Sequence, residues 1–387
     1  MEDFHNKYCH KYNYMPTNLP ATRRIVALGD IHGDFKLAIK LLKIAKVIDE
    51  DLNWSGGDTI VVQVGDQIDR CRPSNGNTCN MKHTTVDDEN SDIRILKYFT
   101  KLDNQAQKNI PPGKVISLLG NHELLNVQGY FDYVSYMGIK KFTDYIDTDK
   151  PQLLFQSGTE ARKYAFRPGN KYAKFLACSR IGAVIIGSNL FVHGGLIDLF
   201  IERMNITDRS HLDNINLKIK EWLLGLIEQE SIEDIISGNK SYYSMFWNRI
   251  LGNLPPNIKH TDKRCSDNIT QVLKILHIGS MIIGHTPQSF LTSNENNDYK
   301  INPTCSRKIW RIDNASSKAF DKFDDIYNGT QQQFLNEARR PQVLEIMNDI
   351  KFTVLLDEKD DEKYKTRSEF ENLQNSGKNN VNIDISF

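Results

Sequence analysis

At 387 residues, with 39% hydrophobic and 25% charged residues, the chain has the composition of a globular protein of one large or two small domains. Its formal net charge of +0 leaves no basic field to recruit nucleic acid or an anionic membrane. No apolar stretch approaches the ~20 residues of a spanning helix, and the polar stretch from Met1 to Asn18 lacks an apolar signal core, so a cytoplasmic or nuclear location is the default expectation. Six cysteines in a chain this long do not make a disulfide scaffold, and Cys71 and Cys79, close enough in a Gly/Asn/Pro loop to pair if oxidised, are expected as reduced thiols.

Residues 1–20 read as an irregular arm ending at Pro20. Ile25–Leu28 is a short β-type run leading into Gly29-Asp30-Ile31-His32, and Phe35 to Val47 then carries apolar residues at helical spacing, which together predict a βα unit. A second run, Ile60–Val64, ends on Gly65-Asp66; residues 71–90 follow as a polar insertion, and Ile93 to Leu102 reads as a helix. After the turn at Pro111-Pro112-Gly113 a third run, Val115–Leu119, ends on Gly120-Asn121-His122-Glu123. Tyr130 to Ile146 is expected to be helical and 147–170 loop-rich. Leu190–Val192 runs into His193-Gly194-Gly195, a helical insertion is expected over about 196–275, with Leu212 to Glu228 its clearest helix, and Met281–Ile283 runs into Gly284-His285-Thr286. Ile309–Ile312 and Val343–Ile346 are two more strand candidates, and the charged tail, residues 357–387, reads as mobile.

Five apolar runs thus end, in order, on residues that bind metals. Sites in α/β sheets gather at the carboxyl ends of strands. The set Asp30, His32, Asp66, Asn121, His193 and His285 offers oxygen and nitrogen donors and no thiolate, which suits Mn, Fe, Zn or Mg. Asp66 has two oxygens to share and is the candidate bridge; Asp30 and His32 would complete one ion, and Asn121, His193 and His285 the other. Two ions ~3.5–4 Å apart clamp the attacking and leaving oxygens of an in-line displacement and acidify a bound water. Phosphate ester hydrolysis is the reaction that most needs such help. His122 is the candidate general acid, Asp69 its orienting partner, and Arg70 and Arg249 the forks that match phosphate oxygens. Glu123 reads as structural. Each piece alone has a bland reading: a loop turn for Gly29–Gly33, a hydrogen-bonded core histidine for His193 or His285, an arginine stem lying along Trp247 for Arg249. The ordered set is what favours a metal centre.

Gly29-Asp30-Ile31-His32-Gly33, Gly65-Asp66-Gln67-Ile68-Asp69-Arg70, Gly120-Asn121-His122-Glu123, His193-Gly194-Gly195 and Gly284-His285-Thr286 resemble the motifs of calcineurin-like metallophosphoesterases, and the second and third narrow the resemblance to the phosphoprotein phosphatase family. Leu118-Leu119 before Gly120-Asn121, Asp34, Trp247-Asn248-Arg249 and Arg311 to Ser316 resemble its Shewanella-like branch. The resemblance spans about Arg23 to Ile346, within a domain drawn as 21–356. It implies an α/β fold, a β-sandwich flanked by helices in αββα layers, and direct hydrolysis by a hydroxide held on two ions (Mn, Fe or Zn), with no phosphoenzyme. It also implies a phosphoprotein or phosphopeptide substrate, with Ser/Thr against Tyr left open. Cys71 stands where the family has Gly after the motif Arg, which puts substrate preference in doubt and, for a free thiol beside Arg70, suggests sensitivity to oxidants. Two alternatives remain from the sequence: a hydrolase of nucleotide polyphosphates or RNA caps, for which the aromatic stretch Tyr130 to Tyr136 is a stacking candidate, and a non-catalytic phosphate-binding module.

Overall fold

The computed structural model describes residues 1–73, 76–237, 242–290, 301–321 and 339–357. Its strands in chain order are β1 (Asn18–Leu19), β2 (Arg24–Leu28), β3 (Ile60–Gln63), β4 (Lys114–Ser117), β5 (Ala183–Ile186), β6 (Asn189–Val192), β7 (Ser280–Ile283), β8 (Asn302–Thr304), β9 (Ile309–Arg311), β10 (Val343–Met347) and β11 (Lys351–Leu355). The helices are α1 (Glu2–Tyr8), α2 (Phe35–Ile44), α3 (Asp92–Ala106), α4 (Asn121–Gln128), α5 (Tyr136–Lys140), α6 (Gly158–Phe166), α7 (Lys171–Ser179), α8 (Asp198–Arg203), α9 (His211–Leu223), α10 (Glu233–Ile236) and α11 (Lys263–Ile275).

The strands form two sheets, one ordered β11-β10-β2-β3-β4 and the other β1-β5-β6-β7-β9-β8. Within the first, β2, β3 and β4 run parallel, with Ile25 opposite Ile60 and Val61 opposite Val115. Within the second, β6 and β7 run parallel, with Leu190 opposite Met281. Every ligand-bearing strand therefore lies in one of two parallel sets.

Period-two alternation explains the layering, because successive side chains on a strand face opposite sides. Ile25 and Ala27 of β2 join Val62 of β3, Val184 of β5, Phe191 of β6 and Ile282 of β7 in a core between the sheets. Val26 and Leu28 face the other way, onto Leu41 and Leu42 of α2 and Ile95 and Phe99 of α3. On the second sheet, Ile185, Leu190, Val192 and Met281 pack outward against α7, α9 and α11. Both faces of both sheets are covered, so the strands read as continuous apolar runs. A ring like that of Phe191, fully buried between the sheets, contributes about 1.5–3 kcal/mol. The architecture is a β-sandwich with helices on both outer faces.

Several expectations change. The arm at 1–20 carries α1 and β1, and β1 extends the second sheet parallel to β5. Of Tyr130 to Ile146 only α5 is helical, and the loop-rich 147–170 contains α6, started by the Ser157 hydroxyl accepting from the Glu160 amide. The tail beyond residue 357 lies outside the described residues. No helix among the described residues is long and apolar enough to cross a membrane.

The largest correction concerns sulfur. Cys9 pairs with Cys178, Cys71 with Cys79 and Cys265 with Cys305, at Cα separations of 5.1, 5.8 and 5.7 Å. No free cysteine remains. The expected reduced thiols, and the reactive thiolate expected at Cys71, are both replaced by disulfides. Composition could not reveal this, since the partners of Cys9 and Cys265 are brought to them only by the fold.

Candidate active site

The carboxyl ends of β2, β3 and β4 from one sheet and of β6 and β7 from the other converge. Backbone bonds tie their loops together: the amides of Ile31 and His32 donate to the Asp66 carbonyl at 3.0 and 2.9 Å. Glu123 fastens two loops from the first turn of α4, accepting from the amides of Gly120 (2.7 Å) and Asp66 (3.0 Å) through Oε2 and of Gln67 (2.8 Å) through Oε1. That geometry gives Glu123 a structural role. Burial and the Asp66 carboxylate push its pKa up to about 7 against those donors.

Four non-glycine residues here hold left-handed backbone: His32, Asp66, Asp69 and His285 (φ 46°, 52°, 73° and 66°). Each such residue costs about 1–3 kcal/mol, and their collection in one place is the mark of a functional site. Two glycines make room for carboxylates. A Cβ on Gly120 would stand 2.1 Å from Asp66 Oδ1, and one on Gly284 2.3 Å from Asp30 Oδ1.

Asp66 is the centre. Its Oδ2 lies 3.3 Å from His193 Nε2, 3.8 Å from His32 Nε2 and 3.9 Å from His122 Nε2. Burial raises the Asp66 pKa, but the imidazoles of His193, His122 and His32 outweigh it and hold the carboxyl well below its usual range. Asn121 Oδ1 is 2.9 Å from His193 Nε2, and Asp30 Oδ2 is 3.9 Å from His32 Nε2 while accepting the His285 amide at 3.0 Å. The six expected donors are thus brought together.

These residues fit a pair of cations. Two groups, His32 with Asp66 and His122, and Asp66 with His193 and His285, offer donor atoms within 4.8 Å of one another, and they share Asp66. The buried Asp30 Oδ1 has no hydrogen-bond partner. Three imidazoles each point one nitrogen at a main-chain carbonyl: His193 Nδ1 at Val64 (2.9 Å), His285 Nε2 at Trp247 (2.9 Å) and His32 Nδ1 at Ile68 (3.4 Å). A nitrogen that donates there fixes the tautomer and leaves the other as a lone pair for an ion. Burial, with Arg72 and His122 for one and Arg249 and His193 for the other, holds His32 and His285 well below the usual histidine pKa, which keeps them neutral. Meanwhile burial, Asp313 and Asp66 hold Asp30 well above the usual carboxylate range, and at His193 burial is outweighed by the Asp66 carboxylate, which raises the imidazole.

Beside this cluster His122 Nδ1 bonds Asp69 Oδ2 at 2.9 Å, leaving Nε2 toward Asp66. Asp69 is held on every side. Asn126 Nδ2 donates to its Oδ1 (2.9 Å), its amide donates to Asp92 Oδ1 (3.2 Å), and the wholly buried Arg162 ties Asn126 Oδ1 (2.8 Å) to Asp92 Oδ2 (2.8 Å). Asn126, one helical turn after His122, was open to detection; Asp92 and Arg162 carry no local signal.

A cavity of ≈ 330 Å³ opens over the cluster, with His122 and Arg249 on its wall among Arg72, Tyr133, Trp247 and Phe320. Arg249 donates to the His285 carbonyl at 2.6 Å. Arg70 is not brought to this wall. Its Nη1 donates to the Gly33 carbonyl (3.2 Å) and lies 3.4 Å from Asp34 Oδ1 and 3.8 Å from Glu89 Oε2, while its Nε and Nη2 are buried without partners. Sequence reasoning missed Arg72, two residues further on, and Asp313, a buried carboxylate that burial and Asp66 raise to about 6 against the amide of Ala315. Neither is flanked by a glycine motif.

Comparison with known proteins bears on this geometry. The calcineurin-like phosphoesterase family matches residues 23–289, and the chain belongs to it. An uncharacterised protein of Acanthamoeba polyphaga mimivirus is 33% identical over 68% of this chain and 99% of its own length. Shewanella-like protein phosphatase 2 of Arabidopsis thaliana is 28% identical over 79% of this chain and 74% of its own. Among solved structures, the cold-active protein-tyrosine phosphatase of a psychrophilic Shewanella superposes with a TM-score of 0.56 at 20% identity, covering 89% of this chain and 83% of that one, which shows a shared fold. The chain is a hydrolase of the phosphatase family, with Shewanella-like protein phosphatases among its relatives.

Proposed function

We propose that the chain is a two-metal phosphoprotein phosphatase that hydrolyses phosphomonoesters, with His122 as general acid. The observation that carries this reading is the sharing of Asp66 by two donor groups under one open cavity, with His122, a member of one group, held from its other nitrogen by Asp69. When bound, two cations supply a water that ionises near neutral pH and positive charge for the phosphoryl oxygens.

The protein's own groups do the rest. Asp69 keeps the Nδ1 proton of His122, so a second proton on Nε2 is the one that can move. That proton passes to the departing oxygen of the alcohol or phenol, and His122 returns to a neutral ring still held by Asp69. Asn126, Arg162 and Asp92 fix Asp69 and through it the direction of Nε2. Arg249 reaches the cavity from its bond to the His285 carbonyl and offers its remaining N–H groups to a phosphoryl oxygen. The walls of Tyr133, Trp247 and Phe320 suit a peptide side chain, aryl or alkyl.

The test is turnover by metal-reconstituted protein of a phosphoserine peptide, a phosphotyrosine peptide, diadenosine tetraphosphate and capped RNA. Preference for either peptide is expected. Preference for a nucleotide would move the chain to another substrate class, and no turnover with two ions bound would leave a phosphate-binding module. The three disulfides support an oxidising compartment over the cytoplasm, where thiols are kept reduced. Mass analysis of native protein with and without reductant tests that placement; free thiols in unreduced native protein would defeat it.

A further inference from the structure

Arg72 lies on the cavity wall, almost wholly buried, and neither the cation centre nor the His122 acid gives it a role. Its guanidinium sits between two rings, with the central carbon 4.7 Å from the Phe320 centroid and 5.5 Å from that of Tyr133. Nη1 donates to the carbonyls of Asp69 (3.1 Å) and Cys71 (2.8 Å), which curls the side chain back over its own loop. Nη2 stands 2.8 Å from His32 Nε2.

Among the described residues Arg72 forms no ion pair, whereas Arg70 has Asp34 at 3.4 Å. A buried cation with no anion against it is costly, and structures tolerate one where a charged ligand completes the pair. The nearby carboxylates of the cluster are the natural partners of metal cations. The nitrogen that Arg72 touches, His32 Nε2, is one an ion would claim, and an ion held there would leave that N–H of Arg72 without its present partner. Arginine is the side chain whose planar fork matches two phosphate oxygens at once.

We propose that Arg72, rather than Arg70, is the residue of this loop that grips the phosphoryl group of substrate and product, together with Arg249. The aromatic pair and the two carbonyls hold its fork in place beforehand, so little ordering is needed on binding. Arg70 instead holds the loop to Asp34 and the start of α2. The inference rests on the phosphomonoesterase reading above.

The experiment is calorimetric titration of metal-loaded protein with inorganic phosphate, with metal content and melting temperature measured on each variant. Arg72→Gln is expected to keep both ions and weaken phosphate roughly tenfold or more, the worth of a hydrogen bond between charged groups. Arg72→Lys, which keeps the charge and loses the fork, should fall between it and wild type. Arg70→Lys should leave phosphate affinity near wild type and show its effect in melting temperature, because it disturbs a buried contact with Asp34. Wild-type affinity in Arg72→Gln, loss of ions from that variant, or a larger loss in Arg70→Lys would each overturn the proposal. If wild-type protein with both ions bound fails to take up phosphate at all, the reading of the whole site fails, and that outcome is separate from the others.

Discussion

The ligand loops and the loop of residues 71–90 reach the same cavity by different means. The ligand loops are short, begin at strand ends and are locked by main-chain bonds, by Glu123 and by glycines that admit a carboxylate within the space of a methyl group. The 71–90 loop starts beyond any strand, is closed by the Cys71–Cys79 bridge and places Arg72 by ring contacts with residues 61 and 248 positions away. One kind of segment is rigid through its own backbone. The other borrows its order from distant side chains.

The sharpest way to break the contrast is Asp66→Asn. Because Asp66 serves both donor groups, the change should remove both ions and reduce turnover of every substrate by on the order of 10³-fold or more, read by metal analysis and kcat/KM. Retention of two ions would show that the strand ends do not depend on a shared carboxylate. His122→Asn comes next. It should keep the ions and lose about 10²- to 10⁴-fold on an alkyl phosphate while sparing a nitrophenyl ester, whose leaving group needs no proton. An equal loss on both esters would sink the general-acid role. Gly120→Ala is the milder test of backbone locking. Its methyl would meet Asp66 Oδ1 at 2.1 Å, so Asp66 or α4 must shift, at about 1–3 kcal/mol of stability, with weaker metal retention. An unchanged melting temperature and metal content would show that the loops are looser than the bonds suggest.

The same contrast explains what could be read before the structure. The six donors at the ends of β2, β3, β4, β6 and β7 were visible because a parallel strand, a turn and a ligand occupy one short stretch, and the chemistry sits within a few residues of the apolar run that positions it. Strands β1, β5, β8 and β11 were not: β1 and β8 are very short, β5 follows a helix with no glycine-flanked ligand to mark its end, and β11 is a partly exposed edge strand without a continuous buried run. The Arg70 expectation came from its place directly after Asp69. Burial against Asp34 and Glu89 turns its side chain away, a choice made by residues 36 before it and 19 after it. Arg162 and Asp92 orient the acid across 70 positions, and no local pattern encodes such a pair. The disulfides fall under the same limit: Cys9 and Cys178 are 169 residues apart.

The smallest expected effect on turnover separates the two kinds of order through those bridges. In chain-entropy terms a link across 169 residues is worth about 5 kcal/mol and one across 8 residues about 2.5 kcal/mol. Replacing Cys9 and Cys178 by serine should therefore lower the melting temperature more, yet leave KM unchanged, because that bridge joins the residue capping α1 to α7, and no residue of either helix lines the cavity. Replacing Cys71 and Cys79 should cost less stability but raise KM about three- to tenfold with kcat within about twofold, since the loop must then be ordered each time Arg72 meets a phosphoryl group. Steady-state kinetics on both double variants decide it. Equal KM values would mean that Tyr133 and Phe320 alone hold Arg72, and that the bridge serves the fold instead of the site.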